Sequence, residues 1–390
     1  MSRYLTVEIF VCKFFSLPLH DFMKPCSICK FNVLFSLSPH FFSTRSESPA
    51  VYDLLVNKHH FSPQVASSVA SDLTRSRSPE KADSILSFLT ESGFSSTQLE
   101  KLVKCKPRIL TAPFEDEIRS KFKIFRESGL SPEDIAHITS SNQVILQLSA
   151  KNRIVPSLSL LQSFLGSESD HQDVARLLKK CPWFLTVDLG KILMPNVEIL
   201  KGYGVALADI RRILFCFPRF MLVRPEIMRK SAEKAEEMGA SRSSRMFIYG
   251  VRSFASMSDE AWQRKLRAMR EMGFSDGDLA AMFGKAPMVF LVGVKKIRKV
   301  KQLLVATGKF DTSSIVDHPC LLGCSIERRL KPRLRILGIL ERKKLIGKWP
   351  SLGTIYTMSN PNFLDRFVWR YSEKVGKAFE TMAYIKGIRK

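Results

Sequence analysis

The residue types in this chain that could do chemistry in quantity are its cations. Sixty-one lysines and arginines stand against 37 aspartates and glutamates in 390 residues, a formal net charge of +24. Reactive side chains, by contrast, do not gather into sites. His59 and His60 are adjacent but have no cysteine or carboxylate at ligand spacing, so they read as a solvated pair. Cys26 and Cys29 form one CxxC with no second pair, which leaves a zinc site without half of its ligands. Cys105, Cys181 and Cys216 sit just before prolines, Cys320 and Cys324 flank an apolar triplet, and all five read as small buried residues. Eight cysteines without framework spacing fit a reducing compartment. No phosphate-binding GxxxxGK[ST], no GxSxG and no HExxH is present, so the chain is read as no enzyme, with no catalytic residues, metal or cofactor.

A strongly basic chain implies a polyanionic partner. The candidate phosphate contacts are Arg108, Arg211, Arg212, Arg219, Arg224, Arg242, Arg245, Lys295, Lys296, Arg298, Lys299, Arg328, Arg329, Lys331, Arg333 and Arg335, with Lys301, Arg342, Lys343 and Lys344 beside them. Arg108, Arg219 and Arg224 follow prolines at positions where a side chain opening a short helix reaches a phosphate. Such contacts position a nucleic acid without reading its sequence. There is no RNP aromatic signature, no Cys/His finger spacing and no two-residue base code. The aromatics around the prolines, Trp183, Phe184, Phe217, Phe220 and Phe290, are assigned to the core rather than to base stacking. For any one cation the competing reading is a solvated helix face.

What must position these residues is a repeat, returning about every 32 to 39 residues. GFSSTQLEKLVKCKPRIL carries Pro107, DVARLLKKCPWFL Pro182, GVALADIRRILFCFPRFML Pro218, GFSDGDLAAMFGKAPMVFL Pro287, and SIVDHPCLL Pro319. In the copy opened by Gly129 the proline is replaced by Gln143, and in the degenerate copy opened by Gly239 by Ser253. Gly93, Gly129, Gly204 and Gly273 each precede the proline position by fourteen residues and read as helix C-terminal caps. Ser95 with Gln98 and Ser275 with Asp278 fit capping boxes, and Ser131 with Pro132 opens a helix. Ser62 and Pro63 mark an earlier unit. Apolar residues at helical spacing, such as Leu99, Leu102 and Val103, bury one face. The proline ends that helix and starts the next turn, so each unit is helix, break, helix. No alternating strand pattern of useful length occurs, and the class is all-α, a superhelical solenoid of stacked repeats.

This register resembles the mitochondrial transcription termination factor (mTERF) family, over roughly residues 50 to 345. SIERRLKPRLRIL, from Ser325 to Leu337, is similar to that family's Ser-x-Glu-x-Arg-(Ile/Leu)-x-Pro-Arg segment, with Glu327, Arg329, Pro332 and Arg333 matching. The resemblance implies helical triplets stacked into a curved superhelix with a basic concave face. It also implies binding of organellar double-stranded DNA in transcription termination or regulation, or of organellar RNA in intron splicing or maturation, with transcription or splicing proteins as possible partners.

The expected organisation is an organellar transit peptide over 1–45, the repeat array over 46–345 and a basic C-terminal extension or cap over 346–390. The first segment is rich in Phe and Ser, poor in acids, and ends in HFFSTR, which places the mitochondrion first and the chloroplast second. No membrane span is expected, and the chain is read as a monomer. The reading of another class is a protein-binding scaffold. It is separated from nucleic-acid binding by whether Arg212, Arg245, Lys296 and Arg333 converge on one face.

Overall fold

In a computed structural model of the protein, residues 48–73, 79–166 and 171–375 are described. Among them there are helices and turns but no strand. Cys26 and Cys29, the 1–45 segment and the last residues of the extension lie outside the described residues.

The repeat is built as its punctuation demands. Helix Ser96–Cys105 is opened by a complete capping box, in which the Ser95 hydroxyl accepts from the Gln98 N–H and the Gln98 side chain accepts from the Ser95 N–H. The same device opens Pro132–Ser141 through Ser131 and Asp134, and Asp276–Lys285 through Ser275 and Asp278. At the end of each first helix the chain extends for one residue, as at Lys106 (φ −143°), and Pro107 starts the 3₁₀ turn Pro107–Thr111. Pro182, Pro218, Pro287 and Pro319 start turns in the same way. A second helix follows, for example Pro225–Glu237 after Pro218 or Val294–Val305 after Pro287. In three repeats it opens with a wide π turn, as in Ile326–Leu330 leading into Lys331–Arg342.

Second helices end on a left-handed residue, mostly glycine; after Lys331–Arg342, Lys344 (φ +55°) takes the place. At Gly93 (φ +89°) the Phe94 N–H reaches the Leu89 carbonyl at 3.1 Å and the Gly93 N–H the Thr90 carbonyl at 3.0 Å, a left-handed cap that a side chain would strain.

Two copies lack the proline, with opposite results. Gln143 starts the 3₁₀ turn Gln143–Gln147 regardless, because Asn142 is already extended (φ −145°), and its Nε2 donates to the Ser140 carbonyl at 2.7 Å. At Ser253 there is no break: it lies buried inside helix Phe247–Ala255, so this repeat departs from helix, break, helix. Its hydroxyl is 2.9 Å from the Tyr249 carbonyl and 3.1 Å from the Pro287 carbonyl of the next repeat.

The chain divides into two compact bodies, one containing 48–199 with Leu207–Pro225, the other Leu200–Ala206 with 226–375. In the first, Phe88 packs edge-on against Phe114 and Phe122. In the second, Trp262 stacks on Phe290 at 5.3 Å and meets Phe254 and Phe283.

Candidate nucleic-acid interface

The second helices share a register that separates buried from exposed charge. Three residues after a fully buried apolar residue comes a buried polar one: Ile118 and Lys121, Ile154 and Ser157, Leu193 and Asn196, Met228 and Ser231, Trp262 and Lys265, Leu330 and Arg333. Where this side chain is long it reaches the following repeat. Lys121 Nζ donates to the Leu146 carbonyl at 2.5 Å, Asn196 Nδ2 to Met221 at 3.0 Å and Val223 at 2.7 Å, and Lys265 Nζ to Val292. The acceptors lie at the ends of 3₁₀ turns, whose carbonyls have no partner within the turn. In the Pro287 repeat the position is Val300, and Lys296, one helical turn earlier, donates to the Gly323 carbonyl at 2.6 Å.

This staple accounts for several of the cations expected at a phosphate. Arg333 is corrected: it has no exposed surface and offers no charge to solvent. Arg329 is half-buried and donates to the Tyr356 carbonyl at 2.9 Å. Arg211 donates to the Phe164 carbonyl at 2.8 Å, at the C-terminal end of helix Val155–Leu165, and Lys301 to that of Met272, at the end of helix Asp259–Glu271. Burial holds the ammonium groups of Lys121, Lys296 and Lys301 below the ordinary lysine range. Arg212 is half-buried against Asp209 at 2.9 Å, and Arg242 forms a fork with Glu236 at 2.6 Å over the Tyr203 ring. The four residues chosen to test convergence therefore do not form a row of exposed charge: Lys296 and Arg333 face into the next repeat, while Arg245 is exposed.

The remaining candidates are exposed. Lys295, Arg298 and Lys299 share one face of helix Val294–Val305, opposite the buried Ile297, Val300 and Leu304. Arg328, Lys331, Arg335 and Arg342 recur at helical spacing on the outer face of Ile326–Leu330 and Lys331–Arg342, where Lys331 meets Glu327 at 3.3 Å. Two consecutive second helices of the second body thus each present a basic face. In the first body Arg108, Arg219 and Arg224 are exposed.

A repeat array of this build, matched along the sequence, decides the family. The mTERF family model matches residues 46–171 and 174–364. The chain belongs to the mTERF family. Relatives include two proteins of Arabidopsis thaliana. The chloroplastic transcription termination factor MTERF8 is 20% identical over 74% of this chain and 55% of its own length. The mitochondrial transcription termination factor MTERF15 is 20% identical over 76% of this chain and 57% of its own. The chain spans little more than half the length of these mTERF relatives.

Other expected roles are redistributed in this mTERF protein. His59 is not a solvated histidine: its side chain is buried, with Nε2 2.8 Å from Asp83 Oδ1, and Lys58 joins the same carboxylate at 2.6 Å. Those two partners hold Asp83 below the usual carboxylate range. Cys181 and Cys324 are buried and Cys216 and Cys320 partly so, but Cys105 is exposed. Phe184, Phe220 and Phe290 are core residues as expected, whereas Trp183 is 48% exposed. Among the described residues no group of three or more His, Cys, Asp or Glu could hold a metal ion, and no helix is long and apolar enough to cross a membrane.

Proposed function

We propose that this protein binds organellar nucleic acid and regulates organelle gene expression, acting by binding rather than catalysis and needing no cofactor. The observation that carries this reading is the pair of exposed basic faces, Lys295, Arg298 and Lys299 on one second helix and Arg328, Arg335 and Arg342 on the next. Cations at this spacing neutralise successive phosphates and gain affinity by releasing counterions. Transcription termination on double-stranded DNA is the first form of the reading, from the names of the relatives. The composition of 1–45 favours mitochondrial import, with the chloroplast second, ahead of an array over 46–345 and a cap over 346–390. Function in RNA maturation is the second form, favoured by the exposed Trp183.

The test is crosslinking and immunoprecipitation from purified organelles with DNA and RNA sequenced in parallel, alongside salt titration of binding in vitro. Replacing Lys295, Arg298 and Lys299 with alanine is expected to flatten the slope of log affinity against log salt by about 2 to 3 units. An unchanged slope, with no enrichment of DNA or RNA in organelles, would leave a protein-binding scaffold instead.

A further inference from the structure

The residue directly after the repeat-proline position, the second of each 3₁₀ turn, has a pattern of its own. In four consecutive repeats of the first body it is Arg108, Val144, Trp183 and Arg219, and all four are exposed, Val144 by 41% and Trp183 by 48%. In the second body the same position is the buried Met288 and the half-buried Cys320. The exposure is therefore not a general property of the turn.

Equivalent positions of stacked repeats form a row, and contacts within the first body join these repeats in order. Lys106, Arg108, Gln143 and Gln147 line one cleft between the first two turns, with Glu117 as its carboxylate. Lys179 meets Asp134 at 2.5 Å, tying the Trp183 repeat to the Val144 repeat. Lys180 donates to the Phe215 carbonyl at 2.9 Å, tying it to the Arg219 repeat. With neighbouring helices about 8–10 Å apart, the three steps between these four positions make a row of about 25–30 Å.

A singly exposed tryptophan is ordinary by itself, but this one stands in a line with guanidinium groups at both ends. Arg108 and Arg219 have no side-chain partner among the described residues. We infer that this row of Arg108, Val144, Trp183 and Arg219 holds an unpaired nucleic-acid strand, with phosphates at the arginines and a base stacked on the Trp183 indole. A duplex keeps its bases stacked on each other and offers the indole no face, whereas an unpaired strand does. The strand is single-stranded RNA or a displaced DNA strand, which present the same chemistry to this row. The inference rests on the nucleic-acid reading above.

The experiment uses the full chain with fluorescently labelled oligouridylate, oligodeoxythymidylate and a duplex of equal length. Binding is read by anisotropy, and stacking by quenching of tryptophan fluorescence. Trp183→Ala is expected to weaken single-strand binding about 5- to 100-fold and to abolish the quenching, while Trp183→Phe keeps most of the affinity. Duplex binding is expected to change little. Arg108→Ala with Arg219→Ala is expected to lower the salt slope for the single strand by about 1.4. Preference between the two single strands identifies the source. Single-strand binding and quenching unaltered by Trp183→Ala would overturn the row while leaving nucleic-acid binding intact. Absence of binding to every probe by the unaltered protein would overturn the broader reading, and the row with it.

Discussion

Arg333 donates through Nη1 to the Ile355 carbonyl at 2.7 Å, from a position with no exposed surface. Its Nη2 donates to Asn360 Oδ1, also at 2.7 Å, and its guanidinium lies 4.6 Å from the centre of the Phe363 ring. A guanidinium is suited to this task because its fork serves two acceptors at once and its flat face packs on an aromatic ring. The same helix carries exposed arginines, so one second helix uses its inner charge to join repeats and its outer charge to face solvent. The basic balance of the chain thus has two destinations, and only one of them is available to a partner.

Removing the inner charge should unfasten the end of the array. Arg333→Ala withdraws the guanidinium from the Ile355 carbonyl and from Asn360 Oδ1 and opens a void beside Phe363, and we expect a loss of about 3 kcal/mol in urea denaturation. Arg333→Lys should recover only part of this, since an ammonium lacks the fork. Hydrogen exchange should rise first in helices Leu352–Thr357 and Asn360–Phe367. Retention of wild-type protection in both helices would show that this staple is dispensable.

The two copies without a proline should respond in opposite ways to having it restored. Position 143 already starts a 3₁₀ turn after an extended residue, so Gln143→Pro is expected to be neutral or to stabilise by up to about 1 kcal/mol. Position 253 lies within a helix, where a proline ring clashes with the Tyr249 carbonyl and removes the hydroxyl that reaches Pro287. Ser253→Pro should cost about 3 kcal/mol or more. Thermal melts of the two variants decide it, and equal shifts would mean that the repeat position, not the local backbone, governs tolerance.

These two positions also show what the sequence makes legible. Glycine, serine caps and prolines act through their own backbones, so helix starts, stops and turns can be read from Ser95, Pro107 or Gly93 alone. Ser253 could not be read this way, because serine neither forces nor forbids a helix and the outcome is set by packing against the next repeat. The candidate site was less legible for the same reason. Lys296 and Lys295 are adjacent and chemically identical, yet one is spent on the Gly323 carbonyl and the other is exposed. Helical phase separates them: aligning the second helices on Ile118, Trp262 and Leu330 puts Lys121, Lys265 and Arg333 in a single inward position, which in the Pro287 repeat is Val300, and Lys296 shares that inner face one turn earlier while Lys295 does not. Trp183 was hidden differently, since the neighbouring Phe184 follows the core assignment that Trp183 breaks.

Thiol reactivity should separate the cysteines by burial. Burial pushes the Cys324 thiol up to about 12 and the Cys320 thiol up to about 11, while Cys105 is exposed. At pH 8 a maleimide is expected to label Cys105 within minutes and to leave Cys320 and Cys324 unmodified until denaturant is added. Peptide mapping by mass spectrometry reads this directly. Labelling of Cys324 as fast as Cys105 in the native protein would show that the last repeats open readily.

Lys265 gives the array a pH dependence of defined sign. Burial alone pushes its ammonium down to about 8 from an ordinary 10.5, and its Nζ is held by the Val292 carbonyl. Below pH 8 the group is charged in both folded and unfolded chains, and the folded state bears the cost of burying that charge. Between about pH 8 and 10.5 the unfolded chain still binds the proton that the folded one has released, so this group's contribution to stability rises with pH. It is complete above 10.5 and is lost as pH falls through 8. Neutral amine still donates to the Val292 carbonyl, so the bond survives the titration. Comparing urea denaturation of the wild type and Lys265→Met at pH 7 and pH 10 isolates this group from the other lysines. The wild type is expected to gain on the variant at the higher pH, and a difference that stays constant or moves the other way would show that Lys265 titrates as a solvated lysine.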